Sequence, residues 1–206
     1  MSFTKTQIYN LAMSALLLGK EFSNADTDTS NEARNLNKFY DIALQSTLQD
    51  LDLDSLSQPI TLELIETLPD DHIWTYAYKY PSNCAYLRRL ESGAVTDTKS
   101  THIAKRVGLH EGQKVIFTDE VQAVAECIPK DAPLEAFSPM AALAVAYKLA
   151  FLSAPLIVGK GAKSLRKEIQ NDYVISKAEA QETDKMENFN YEADWVRSEY
   201  VEARLS

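Results

Sequence analysis

Ser138–Gly159 reads SPMAALAVAYKLAFLSAPLIVG, and this stretch decides the fold. Ser138 is placed to cap a helix, because its hydroxyl can accept from the N–H groups that a first turn leaves unpaired. Pro139 then occupies the first helical position, where its missing N–H costs nothing. From Met140 to Leu152 only Lys148 is charged, so every face of the helix is apolar and other elements have to cover it. Pro155 and Gly159 are expected to end the element. Its helical part would then be about fifteen residues, short of the roughly twenty that cross a bilayer. Such a helix belongs inside a helical bundle.

The sequence on either side supplies the neighbours. A further helix is expected from about Ala162 to about Glu187, with Leu165, Ile169 and Tyr173 on one face. Its second half, KAEAQETDKMEN, offers only small apolar residues and is expected to protrude or meet another chain. At the opposite end, Thr4 and Gln7 form a capping box. Ile8, Leu11, Ala12, Ala15 and Leu18 then recur at helical spacing until Gly19. After a polar loop, Thr29 and Glu32 suggest a second box, followed by a stripe of Ala33, Leu36, Tyr40, Ala43, Leu44, Thr47 and Leu51. These two helices are expected to pack antiparallel.

Between the helical regions the period changes to that of strands. Ile60–Ile65 reads as one strand, and the aromatic run Ile73–Tyr80 and Cys84–Leu90 read as a hairpin-like pair around Pro81-Ser82-Asn83. Ile103–Val107, Lys114–Thr118 and Val121–Ile128 complete a small, mostly antiparallel sheet. The expected fold class is therefore α+β, mainly α: an antiparallel helical bundle with an inserted β-sheet and an extended C-terminal arm. Residues 1–56 and 135–187 would form the bundle, residues 57–134 the insertion and residues 188–206 the arm.

Composition narrows the function. A formal charge of -9 and a pI near 4.9 oppose tight, nonspecific nucleic-acid binding, which depends on neutralising phosphates with Lys and Arg. Cys84 and Cys127 lack metal-ligand or redox-motif spacing and are expected to be buried free thiols. MSFTKTQIYN begins a helix and lacks the regions of an export signal, so the reading is a protein made in a reducing cytoplasm. No cofactor or metal is expected. Gly159–Ser164 lacks the first glycine of a phosphate loop, and Asn24–Asp28 opens like a calcium loop but has Asn31 at the glycine position and Asn37 at the bidentate position. His72, His102 and His110 are scattered, and neither Ser138 nor Ser164 lies in a nucleophile elbow.

Two groups remain as candidate sites. Lys99, Lys105, Arg106 and Lys114 form a basic stretch with His102 and His110. It reads either as a strand edge that resists aggregation or as a contact with an acidic neighbouring subunit or DNA. The tail places Trp195, Val196, Arg197, Tyr200 and Val201 among alternating charges, in a segment too short for its own core. A frayed end with no role is the alternative, but Trp, Tyr and Arg are enriched among interface anchors, so the tail reads as a docking arm.

Several stretches resemble the head-tail adaptor proteins of tailed bacteriophages, especially the podophage tail tubular protein A group. They are IYNLAMSALLLGK, SNEARNLNKFYDIALQSTL after an acidic loop, WTYAYKYPSNCAYLRRL, AECIPKDAPLEAFSPMAALAVAYKLAFLSAPLIVG and the closing DWVRSEYVEAR. They occur in the family's order over most of the chain. Tyr80-Pro81 and Phe137-Ser138-Pro139 are the most specific. The chain departs from the family at Asp50-Leu51-Asp52-Leu53, where a tryptophan is often found. The resemblance implies a non-enzymatic virion component, a homo-oligomeric ring, usually of twelve subunits, made in the bacterial host cytoplasm. It would join the portal protein to the tail nozzle or tail tube, with genomic DNA passing through the lumen and no membrane contact. A small soluble enzyme and a DNA-binding regulatory protein are the alternatives, to be distinguished by a bound cofactor or by salt-dependent duplex binding.

Overall fold

The computed structural model describes residues 3–69, 71–93 and 103–187. The chain is mixed α/β, 49% helical and 22% strand, and the strands form two small antiparallel sheets instead of the single sheet expected.

Helix α1 (Lys5–Ala15) starts at the capping box: Thr4 Oγ1 accepts from the Gln7 N–H at 3.3 Å, and Gln7 Oε1 accepts from the Thr4 N–H at 2.8 Å. It stops before Gly19. Leu17 takes the left-handed conformation, φ 58°, and the Leu18 N–H closes on the Met13 carbonyl at 3.1 Å. This closure normally uses glycine. Helix α2 (Asn31–Leu51) is capped by Ser30, whose hydroxyl accepts from the Ala33 N–H at 3.4 Å, and not by Thr29. Lys5 lies 5.2 Å from the Tyr40 ring, the Tyr9 hydroxyl donates to Asn37, and Lys20 pairs with Glu32 at 2.7 Å. Those partners descend α2 as the chain ascends α1 and the turn beyond it. Both helices nevertheless pack more extensively against α3 than against each other.

Helix α3 (Pro139–Ile157) begins where Ser138 Oγ accepts from the Ala141 N–H at 3.2 Å, and it packs against α1, α2 and a fourth helix. Its alanines leave room for close neighbours; Ala141, Ala144, Val145, Leu149 and Ala150 are all inaccessible to solvent. Pro155 does not end it. The Val158 N–H still reaches the Ala154 carbonyl at 2.9 Å, and the chain turns only at Gly159, φ 70°. Among the described residues α3 is the one helix long and apolar enough to cross a bilayer, and half of its apolar window is covered by the rest of the protein.

Helix α4 (Ala162–Glu187) has the expected bounds and buries Leu165, Ile169 and Tyr173. Its second half does not stand free of the fold. Ser176, Ala180 and Asp184 continue the buried row. Gln181 Nε2 donates to the Leu51 carbonyl at 2.8 Å, and the Asp184 carboxylate accepts from the N–H groups of Asp54 at 2.6 Å and Ser55 at 3.0 Å. Small side chains here face the backbone of the turn after α2, so a scarcity of large apolar residues is compatible with packing.

The sheets are β1 (Gln58–Thr61), β7 (Ala123–Pro129) and β4 (Cys84–Ser92) in that spatial order, and β2 (Leu64–Thr67), β3 (Tyr76–Lys79), β6 (Gln113–Thr118) and β5 (Arg106–His110) in the other. The strand expected at residues 60–65 is thus divided at Leu62 and Glu63, with one half in each sheet. Pro81-Ser82-Asn83 passes the chain between sheets, so β3 and β4 do not form a hairpin. Glu111 and Gly112, both at positive φ, close the two-residue turn between β5 and β6. Ala85 and Ile128 of the first sheet join the helical core, while Leu87 and Leu90 meet Tyr78 and Ile116 of the second. The three-stranded sheet is the middle layer. Arg88 on β4 fastens it to the end of α2, binding Asp52 at 2.6 Å and also Asp54.

Candidate functional site

The sequence-derived candidates do not form one surface. Lys99 and the arm residues Trp195, Val196, Arg197, Tyr200 and Val201 lie outside the described residues. Lys105 turns inward, its ammonium donating to the Arg88 carbonyl, and burial pushes its pKa down. Lys114 sits 3.6 Å from the centre of the Tyr80 ring. In the β5–β6 ladder Leu109 faces Lys114 and Arg106 faces Phe117, so Arg106 and Lys114 project from opposite faces of the sheet.

The residues that could carry chemistry are mostly tied into structure. His110 meets Glu66 at 2.8 Å, and the His72 ring pairs with the backbone of Trp74. Among the described residues no cluster of His, Cys, Asp or Glu could hold a metal ion. Cys84 and Cys127 are buried free thiols. A hydrogen bond with Cys127 draws the Cys84 thiol below its ordinary value despite burial, with help from Tyr80, Lys114 and Lys130; the same bond and burial push Cys127 up. Asp50 on α2 accepts from the Tyr173 hydroxyl of α4 at 2.6 Å and pairs with Lys148 of α3 at 3.3 Å. Burial opposes its ionisation, but the Tyr173 bond and the Lys148 charge prevail and hold its carboxyl below the ordinary range.

Two grooves flanking the α3–α4 pair are different, because their charged side chains make no ion pair among the described residues. One is a cleft of about 550 Å3 lined by Phe151 and Pro155 of α3, Lys160 at the turn, and Lys163, Arg166 and Lys167 of α4. The Arg166 guanidinium carbon lies 4.0 Å from the centre of the Phe151 ring, a contact that holds it in the wall. The other groove, of about 330 Å3, is lined by Leu11, Leu17, Leu143 and Tyr147 together with Glu168 and Asp172. Among the described residues, neither these four cations nor these two carboxylates take part in an ion pair. On α4 each groove residue follows a cleft residue by two positions: 163 and 165, 166 and 168, 167 and 169, 170 and 172. Two positions are about 200° of helical rotation, so the sets occupy opposite sides of the helix.

Gly159–Ser164 is a helix-to-helix turn, as expected, and the cleft opens beside it. The usable signal was Lys160, Lys163 and Lys167, which share a face at helical spacing, four positive charges falling in eight residues of an acidic chain. No family model matches the chain, and no curated protein matches it.

Proposed function

We propose that the protein is a structural head-tail adaptor of a tailed phage. It forms a homo-oligomeric ring, dodecameric by the family's habit, between the portal and the tail nozzle or tube in the virion. The finer architecture belongs to this reading: an antiparallel helical bundle holds the ring, the β insertion decorates it, and residues 188–206 form an arm that docks on the portal. The observation that carries the proposal is collinear. IYNLAMSALLLGK spans most of α1, SNEARNLNKFYDIALQSTL covers the cap and most of α2, WTYAYKYPSNCAYLRRL holds β3 and most of β4, and AECIPKDAPLEAF leads from β7 into α3. Four of the five family-like stretches therefore follow the order of the helices and strands, and the fifth, DWVRSEYVEAR, lies outside the described residues.

The electrostatics support a role beside DNA without a grip on it. An acidic wall does not retain a polyanion in transit, and repeated arms sum modest contacts because docking of one raises the effective concentration of the others. The direct test is sedimentation of the purified chain with the portal of the phage that encodes it. Co-sedimentation is expected; a chain that stays behind, or that instead binds duplex DNA with a steep salt dependence, opposes the proposal.

A further inference from the structure

We infer that the basic cleft of one copy receives the acidic groove of the next, making a head-to-tail contact between copies of this chain. The inference rests on the ring reading above and names the surface that would build the ring.

Charge favours a second copy over other partners. The cleft gathers four cations in a chain whose formal charge is -9, so the molecule's own remaining surface is the nearest source of matching carboxylates. Glu168 and Asp172 are such carboxylates, exposed and outside any ion pair among the described residues. Because the two sets lie on opposite sides of α4, one chain cannot satisfy itself. A neighbour can, and the second neighbour then repeats the contact. A contact between two different surfaces is the kind that generates a ring when its rotation closes.

Apolar features accompany the charges. Leu17, 79% exposed, lines the acidic groove, and Phe151 and Pro155 line the cleft. Leu17 is held at φ 58°, a conformation that costs a non-glycine residue free energy where glycine adopts it freely. Strain retained to present an exposed leucine is a mark of a functional position. It is the knob this contact buries, and its neighbour's Phe151 and Pro155 are the apolar floor.

The test uses the full chain in three forms: wild type, Lys163→Glu with Lys167→Glu, and Glu168→Lys with Asp172→Lys. All four positions are exposed, so each form is expected to fold. Zero-length carbodiimide coupling of an equal mixture of 14N and 15N wild-type chains should join Lys163 or Lys167 of one isotope to Glu168 or Asp172 of the other. Each charge-reversed form alone should self-associate on the order of tenfold more weakly, since like charges are then opposed, and mixing the two forms should restore association. Leu17→Gly should raise the melting temperature and yet weaken association, a combination that a merely structural residue cannot give. Absence of mixed-isotope coupling at these positions, or failure of the two reversed forms to complement, overturns the inference. So does binding of labelled duplex DNA that only the Lys163→Glu and Lys167→Glu form loses, which would assign the cleft to nucleic acid. These measurements need no portal. A chain that complements in this way but ignores the portal defeats the adaptor proposal alone, while one that binds the portal without complementation defeats only this contact.

Discussion

Replacing Asp184 by alanine tests whether the end of α4 is fastened to the turn after α2. The side chain is 6% exposed and accepts two backbone N–H groups, from Asp54 at 2.6 Å and Ser55 at 3.0 Å. The 3-10 turn they open has no cap of its own, since Leu53 offers no side-chain acceptor. A hydrogen bond to a charged group contributes about 1.5–3 kcal/mol. Ser55 is exposed, so water can replace part of its bond, while the Asp54 bond is lost in full. The expected cost is therefore about 2–3 kcal/mol, which for a chain of this size lowers the melting temperature by roughly 4–12 °C. Asp184→Asn keeps an acceptor without the charge and should lose about half as much. Calorimetry gives the melting temperature, and hydrogen exchange should speed first at the amides of Asp54 and Ser55. Glu187→Ala, at an exposed position, is the control. A melting temperature for Asp184→Ala equal to that of the control would show that α4 is not anchored there.

Three other outcomes follow from the same structure. The depressed pKa of Asp50 contributes stability that is fully present above the ordinary aspartate value of about 3.9 and is lost as pH falls through its lower folded value; Asp50→Asn should abolish that loss in acid titrations followed by circular dichroism. Cys84→Ser with Cys127→Ser should cost stability modestly, through packing, and leave assembly intact; a folded double variant that no longer assembles would give the thiols a further role. Trp195→Ala should leave the melting temperature nearly unchanged while weakening portal attachment by on the order of 2 kcal/mol or more per subunit, read by co-sedimentation; unaltered attachment would remove the docking-arm proposal.

Local chemistry was legible in the chain and partnership was less so. The Thr4–Gln7 box, the Ser138-Pro139 entry and the bounds of α4 follow from short-range hydrogen bonding and spacing, which a sequence displays directly. The two sheets were not visible, because alternation marks a strand without naming its partner, and Leu62-Glu63 bears no turn residue to announce that β1 and β2 part there. Gly19 was a reasonable stop for α1, yet the chain takes its left-handed residue two positions earlier on Leu17, against propensity. The basic stretch at residues 99–114 was compact in sequence, but burial of Lys105 and the pleat of β5 and β6 separate Lys105, Arg106 and Lys114. The cleft on α3 and α4 was recoverable from lysine spacing alone. Its apolar floor was not, because Phe151 and Pro155 reach it only through the fold.

Electron microscopy of the full chain mixed with its portal tests the central claim most directly. Rings of this protein stacked on the portal, with rotational symmetry about a central channel, are the expected result. Portal particles left bare at an excess of folded protein would contradict it.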